Sequence, residues 1–370
     1  MALSEVFNFS AGPATLPREV LLTVQNELLD YRGTGLSVMT VSHRSNTFLD
    51  ILHQAESDLS QLLGVPDDYA ILFLQGGASL RFTDIVCNLS LSQKRQLGCV
   101  VSGNWSKIAY QQMSKIKLVS TKLIANSEQD GYYVDVPLQK DWLVNLPLDF
   151  IHFTSNETVH GVQYQTLPHR INVDYPLLVC DMSSDFLSRR IKVRDYALIY
   201  AGAQKNIGPS GVTVVIVQKD LLSRAPDTIP DVLNYQSHFN KNGMYNTPNT
   251  FGTYVCGLVM KWLLQRGGLS KMEEINTEKA KLLYSTIDES NGFYSNHVCK
   301  SARSKMNVVF YTPNEQLDAL FIEEATKNNL KFLKGYKSMG GMRASIYNAM
   351  PLKGVQLLSE FMQDFQRRYG

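Results

Sequence analysis

The strongest constraint in this sequence is a set of short apolar runs, several with no polar alternation, at residues 69–74, 99–102, 150–153, 177–180, 198–200 and 212–217. A strand with apolar side chains on both faces is buried on both, so such runs specify a largely parallel sheet covered by helices on either side. The intervening stretches agree. Residues 17–30 place Val20, Leu21, Val24 and Leu28 on one helical face, and 47–63 place Phe48, Ile51, Leu52, Ala55, Leu59 and Leu62 on another before the stop signals Gly64 and Pro66. The fold class is α/β.

A chain of 370 residues has room for two domains at roughly 150 residues each. The apolar segment 251–264, ending at Gly267-Gly268, reads as a linking helix. Beyond it, a strand at 307–311, a helix at 315–327 and an amphipathic helix at 352–368 describe a smaller α+β unit. The expected division is a large domain, 17–266, and a small C-terminal domain, 267–370, with residues 1–16 packing near the active site. The 36 basic and 34 acidic residues leave a net charge of +2, which excludes the footprint of a general nucleic-acid binder. Five scattered cysteines form no CxxC pair, so neither a disulfide framework nor a metal site is expected. With no signal peptide and no apolar run near the roughly 18 residues of a membrane span, the expected compartment is the cytoplasm, away from membranes.

Ligands gather at the carboxyl ends of strands in such a sheet. Five strand ends are rich in candidates. Gln75-Gly76-Gly77-Ala78-Ser79 lets backbone approach an anion at a helix start near Leu80, although a tight strand-to-helix turn uses the same residues. It is neither GxGxxG nor a Walker loop. Asp181, directly after 177–180, is either a turn acid or a carboxylate facing a cation, metal or protonated ring nitrogen. Lys205, between Ala203-Gln204 and Asn206-Ile207-Gly208-Pro209, is either a solvated surface lysine or one crowded by small and apolar residues that lower its pKa towards Schiff-base chemistry. Trp105 offers a stacking face or core packing, and Thr158 a hydroxyl for a ring oxygen or a local cap. A phosphate loop, an aromatic platform, an acid and a lysine together match the needs of pyridoxal phosphate.

The chain resembles the phosphoserine aminotransferase family of class V, fold-type I pyridoxal-phosphate enzymes. The resemblance is carried by Asn8-Phe9-Ser10-Ala11-Gly12-Pro13-Ala14, Ser42-His43-Arg44-Ser45, the 75–79 loop, Asn156-Glu157-Thr158, Asp181-Met182-Ser183-Ser184-Asp185, the segment 203–209, Asn246-Thr247-Pro248 and the segment 340–349. It implies a large domain with a mostly parallel seven-stranded sheet. It implies that Lys205 forms the internal aldimine and moves the α-proton, that Asp181 keeps the pyridinium protonated, and that Trp105 stacks on the ring. Ala78, Ser79, Thr158 and Gln204 would bind cofactor oxygens, and Asn246 and Thr247 the phosphate of the cofactor in a partner subunit, making the active unit a homodimer. Arg343 would hold the substrate α-carboxylate, and Arg44 beside His43 its second anionic group. The reaction implied is amino transfer between L-glutamate and 3-phosphohydroxypyruvate, with 4-phosphohydroxy-L-threonine as a further substrate.

The sequence departs from the family in two places. Where many members carry His-Arg for the substrate phosphate, this chain has Tyr336-Lys337, which keeps a charge and loses the two-donor fork. Arg81 stands where the family usually has Gln, and is expected either to refill the phosphate pocket or to face solvent. Other class V enzymes, such as a serine–glyoxylate aminotransferase or a cysteine desulfurase, and a non-catalytic binding protein, are the alternatives. No cysteine lies in a Gly/Ser-rich loop, as a desulfurase requires, and Lys205 with Asp181 argues against a binding protein.

Overall fold

The computed structural model describes residues 5–91, 93, 95–145 and 147–370, so residues 1–4 of the N-terminal segment lie outside the described residues. The chain opens with β1 (Phe7–Asn8), α1 (Arg18–Glu27), α2 (Asn46–Leu63), β2 (Tyr69–Gln75) and α3 (Ala78–Leu89). Next come β3 (Gln96–Val101), α4 (Asn104–Met113), β4 (Ser120–Asn126) and the small hairpin β5 (Glu128–Gln129) and β6 (Tyr132–Tyr133). β7 (Phe150–Thr154) leads into a second hairpin, β8 (Asn156–Glu157) and β9 (Val162–Gln163), followed by β10 (Leu177–Asp181), β11 (Leu198–Gly202) and β12 (Val212–Gln218). Three helices follow, α5 (Tyr235–Phe239), α6 (Thr250–Gln265) and α7 (Gly268–Asp288), and then β13 (Asn307–Phe310), α8 (Glu315–Lys327), β14 (Leu330–Lys331), β15 (Met342–Ser345) and α9 (Leu352–Tyr369).

Seven strands form one sheet in the order β2-β12-β11-β10-β7-β3-β4. Only β12 runs against the others, pairing antiparallel with both β11 and β2. Six of the seven are the apolar runs of the sequence. The seventh, β4, carries a single buried residue, Ile124, because it lies at the sheet edge. Its sequence, STKLIAN, therefore has the polarity of an exposed segment, which is why periodicity alone passes over it.

α2 is started by the Ser45 hydroxyl accepting from the Phe48 amide and stopped by Gly64 at φ 61°, a left-handed cap that suits glycine. Its apolar stripe joins a cluster containing α6 on one face of the sheet, while α3 and α4 cover the other. Among the described residues, no helix is long and apolar enough to cross a membrane.

A separate cluster is built from α7, β13, α8, β15 and α9. Phe7 and Phe9 from the chain start pack into it, and β1 pairs with β14. α7 serves both clusters: Leu269 and Met272 belong to the first, Ala280, Leu283 and Ile287 to the second.

Candidate active site

β7, β10 and β11 lie side by side, and Asp181 at the end of β10 stands level with Thr154 on one neighbour and Tyr200 on the other. Past these ends, β8 brings the chain to Thr158 and the segment after Gly202 brings it to Lys205. The Lys205 ammonium donates to Thr158 Oγ1 at 2.7 Å and stands 5.6 Å from the centre of the Trp105 ring. A cavity of about 110 Å³ is lined by Ala78, Ser79, Trp105, Asp181, Gln204 and Lys205. Larger cavities of about 370 and 580 Å³ lie elsewhere, and neither holds a lysine, a carboxylate and an indole together in this way.

Burial pushes the Lys205 amine down to about 8, against the opposing pull of the Asp181 and Glu157 carboxylates. The lysine is thus a base and nucleophile near neutrality. Asp181 is a turn acid and a cleft acid at once: its Oδ1 accepts from the Ser183 amide at 2.9 Å and the Ser183 hydroxyl at 2.6 Å, which fixes the carboxylate in the cavity wall. The Ser183 hydroxyl oxygen also accepts from the Gly202 amide, locking β10 to β11 where the site begins.

Trp105 is aimed by Glu157. That buried carboxylate accepts from the Trp105 amide at 2.9 Å, the Ser106 amide at 2.8 Å and the Ser106 hydroxyl at 2.6 Å, and so caps the first turn of α4. The indole Nε1 is buried without a partner. Glu157, Ser183 and Asn156 are the residues that sequence reasoning left without a role. The signal was present in Glu157, an acid a few residues past the end of the apolar run 150–153, where a carboxylate taken out of water demands donors.

On the opposite wall, α3 begins at Ala78, two residues earlier than expected, and Gly77 offers no side-chain cap. No side chain caps the first amides of α3, and Ala78 and Ser79 line the cavity, an arrangement that suits a phosphate. Gly76 has φ 90°, and its carbonyl is tied to the Thr213 hydroxyl at 2.8 Å. The N-terminal segment closes over Gln204, with the Ala14 amide donating to the Gln204 carbonyl at 2.9 Å.

Arg343, on β15, reaches the Thr158 carbonyl at 3.4 Å, and among the described residues no carboxylate forms an ion pair with it. A structural salt bridge therefore does not account for it. Both adjacent glycines are left-handed, Gly340 at φ 68° and Gly341 at φ 59°, and a Cβ on Gly341 would also meet the Tyr311 ring at 2.4 Å. Arg81 corrects both sequence expectations, since it is 3% exposed and lies outside the cavity lining, paired with Asp84.

Six candidates are not brought to the cavity within one chain. His43 is half-buried and Arg44 exposed on the turn before α2. Tyr336 and Lys337 sit on an exposed turn whose Tyr336 carbonyl accepts from the Met339 and Gly340 amides. Asn246 and Thr247 are exposed before α6, with the Thr247 carbonyl taken by the Gln75 side chain.

The donor set fits pyridoxal phosphate. A lysine of lowered pKa, a carboxylate, an indole face with a spare N–H and an uncapped helix start surround one cavity, and each matches a different part of that molecule.

The class-V aminotransferase family matches residues 6–358. A phosphoserine aminotransferase of Neisseria meningitidis is 57% identical over 370 residues, covering 100% of both chains. A phosphoserine aminotransferase structure determined to follow radiation damage of its Schiff base superposes with a TM-score of 0.95 at 44% identity, covering 99% of this chain and 100% of that one. The pyridoxal-phosphate-bound phosphoserine aminotransferase of Trichomonas vaginalis superposes at 0.92 with 36% identity, covering 97% and 100%. With the whole length matched at this identity and the lysine, carboxylate and indole gathered at the strand ends, the chain belongs to the class-V aminotransferases and, within them, to the phosphoserine aminotransferase family.

Proposed function

We propose that this chain transfers the amino group between L-glutamate and 3-phosphohydroxypyruvate, giving O-phospho-L-serine and 2-oxoglutarate, with pyridoxal 5'-phosphate as cofactor. The observation that carries the reading is Lys205, with its amine lowered to about 8, set between Trp105, Thr158 and the Asp181 carboxylate. Held there, pyridoxal phosphate supplies an electron sink for the charge that develops at the substrate α-carbon.

The chain's own residues do the rest. Lys205 takes the proton from the α-carbon and returns it, a role for which an amine with pKa near the working pH is suited. Asp181, fixed by Ser183, holds a proton on the ring nitrogen. Trp105, oriented by Glu157, covers one ring face, while Thr158 and Gln204 hold cofactor oxygens and the amides at Ala78 and Ser79 hold the phosphate. Arg343 binds the α-carboxylate through a planar two-donor fork, supported by its lack of any acid partner among the described residues.

Arg44, His43, Lys337 and Tyr336 read the substrate phosphate, and Asn246 and Thr247 serve the partner subunit's cofactor. Their exposure away from the cavity supports a homodimer whose sites are completed across the interface. The two parts of the chain, 17–266 and 267–370, act as a cofactor domain and a smaller substrate-binding domain. The enzyme is cytoplasmic, in keeping with five free cysteines. A substrate one carbon longer, 4-phosphohydroxy-L-threonine, offers the same two anionic groups.

The purified protein should be yellow, should bleach with phosphoserine and not with serine, and should take a borohydride label at Lys205. A colourless protein that Lys205 labelling misses would overturn the reading. Bleaching by serine and phosphoserine alike would overturn the substrate assignment alone.

A further inference from the structure

Arg81 is an arginine within the first turns of α3, next to a loop suited to phosphate, and yet it neither lines the cavity nor faces solvent. Its Nη1 pairs with Asp84 Oδ2 at 2.9 Å, and its Nη2 donates to the Gln75 carbonyl at 3.2 Å. Asp84, 2% exposed, receives a second bond from the Tyr235 hydroxyl at 2.6 Å. Tyr235 opens α5, and twelve residues on, the carbonyl of Thr247 accepts from the side-chain amide of Gln75. The contacts close a ring, from Gln75 through Arg81, Asp84 and Tyr235 along the chain to Thr247 and back to Gln75. Gln75 is the last residue of β2, so the ring grips the point from which residues 76–79 leave the sheet.

A buried ion pair is costly to break at one end, because the survivor is left as an uncompensated charge, and much cheaper to remove whole. Burial already raises the Asp84 carboxyl to about 6, with Arg81 and the Tyr235 hydroxyl opposing the rise. Without the guanidinium, that site has no cation to hold the carboxylate, and the Gln75 carbonyl loses its donor.

We propose that Arg81 is a positioning residue for the cofactor: with Asp84 as its counter-ion, it clamps the Gln75 end of the 76–79 loop and so sets how tightly pyridoxal phosphate is retained. The proposal rests on the pyridoxal-phosphate reading of the site. It concerns residues that touch neither cofactor nor substrate, so its signature is faster cofactor release wherever the Gln75 carbonyl loses the guanidinium.

The test follows pyridoxal phosphate release by absorbance after dilution of the holoenzyme, for wild type, Arg81→Gln, Asp84→Asn and the double variant. Arg81→Gln should release cofactor about tenfold faster. The double variant removes both charges together but still leaves the Gln75 carbonyl without its donor, so it should stay at least about threefold faster than wild type. Release unchanged in Arg81→Gln overturns the proposal, and so does a double variant back at the wild-type rate, which would mean that the unpaired Asp84 charge and not the Gln75 contact governs release. Should Arg81→Gln fail to fold, Arg81→Lys keeps the charge and loses the fork that reaches Gln75: faster release supports the clamp and unchanged release overturns it. A wild-type protein that takes up no pyridoxal phosphate overturns the functional reading itself, a result distinct from all of these.

Discussion

The Glu157 carboxylate occupies the space that any side chain at position 103 would need: a Cβ on Gly103 would lie 2.4 Å from Glu157 Cγ. The Gly103 backbone is extended, so contact and not backbone angle demands glycine here. Gly103→Ala should therefore push Glu157 off the amides of Trp105 and Ser106 and let the indole turn. The expected cost is about 1–3 kcal/mol, the range for overpacking a filled site. Urea unfolding of the cofactor-free protein checks the stability, and the Trp105 contribution to fluorescence quenching by pyridoxal phosphate checks the orientation. Stability and quenching both equal to wild type would show that Glu157 has room to move.

Lys205 must be neutral to attack the aldehyde of an incoming pyridoxal phosphate. With its amine lowered to about 8 by burial, the neutral fraction falls tenfold per unit as pH drops below that value and is complete above it. The rate of cofactor uptake by the stripped protein should rise with pH, bend near pH 8 and level off. The Asp181 carboxylate raises the amine's pKa, so Asp181→Asn should move the bend to lower pH. Stopped-flow absorbance across about pH 6–11.5 measures both. A bend near the 10.5 of an ordinary lysine would show an amine open to water.

The legibility of this molecule in its sequence follows burial. β11 and β12 are enclosed by helices, so their apolar character is continuous and visible. β4, at the edge, is mostly wet and has no such signature. Lys205, Asp181, Trp105 and Thr158 were found because each stands at a strand end where a polar or aromatic group is out of place. Glu157 and Ser183 were harder, since they act on Trp105 and Asp181 through backbone amides that pattern cannot reveal. Arg81 was misread for a similar reason. Its partner Asp84 lies three residues on along α3, a spacing the sequence offers, but that the pair is buried depends on Tyr235, 151 residues from Asp84.

Lys279 on α7 is fully buried, and its ammonium donates to the carbonyls of Ile346, Tyr347 and Met350 at 2.9, 2.7 and 3.1 Å. Those carbonyls belong to the segment after β15, which also holds Asn206 through the Asn348 amide and Ala11 through the Tyr347 hydroxyl. Burial lowers the amine to about 7 from 10.5. Between these values the unfolded chain binds more protons than the folded one, so this group's contribution to stability is full above about pH 10.5 and is lost as pH falls towards 7. Lys279→Met orphans three carbonyls and abolishes the titration. The stability of wild type relative to the variant should therefore be greater at pH 9.5 than at pH 7, measured by urea unfolding of the cofactor-free proteins. A difference that shrinks with pH would mean that the amine is not the titrating group.

Tyr336 and Lys337 lie at the start of the exposed turn that leads through Gly340 and Gly341 to Arg343. Arg343 is pulled towards its neutral form by burial and draws opposing support from the Tyr347 and Tyr336 hydroxyls, so the turn and the arginine share one electrostatic neighbourhood. A lysine on this turn meets a phosphate as a point charge, whereas an arginine would meet it with two parallel donors. Exchanging the pair for His-Arg should lower KM for phosphoserine by about three- to tenfold, the net value of one added hydrogen bond at an exposed site, and change KM for glutamate much less. Glutamate is the internal control, because its side chain carries a carboxylate where phosphoserine carries phosphate. Steady-state kinetics of both half-reactions decide it. If KM for phosphoserine is unchanged or rises, the phosphate is read by other groups, and Arg44 becomes the next position to exchange.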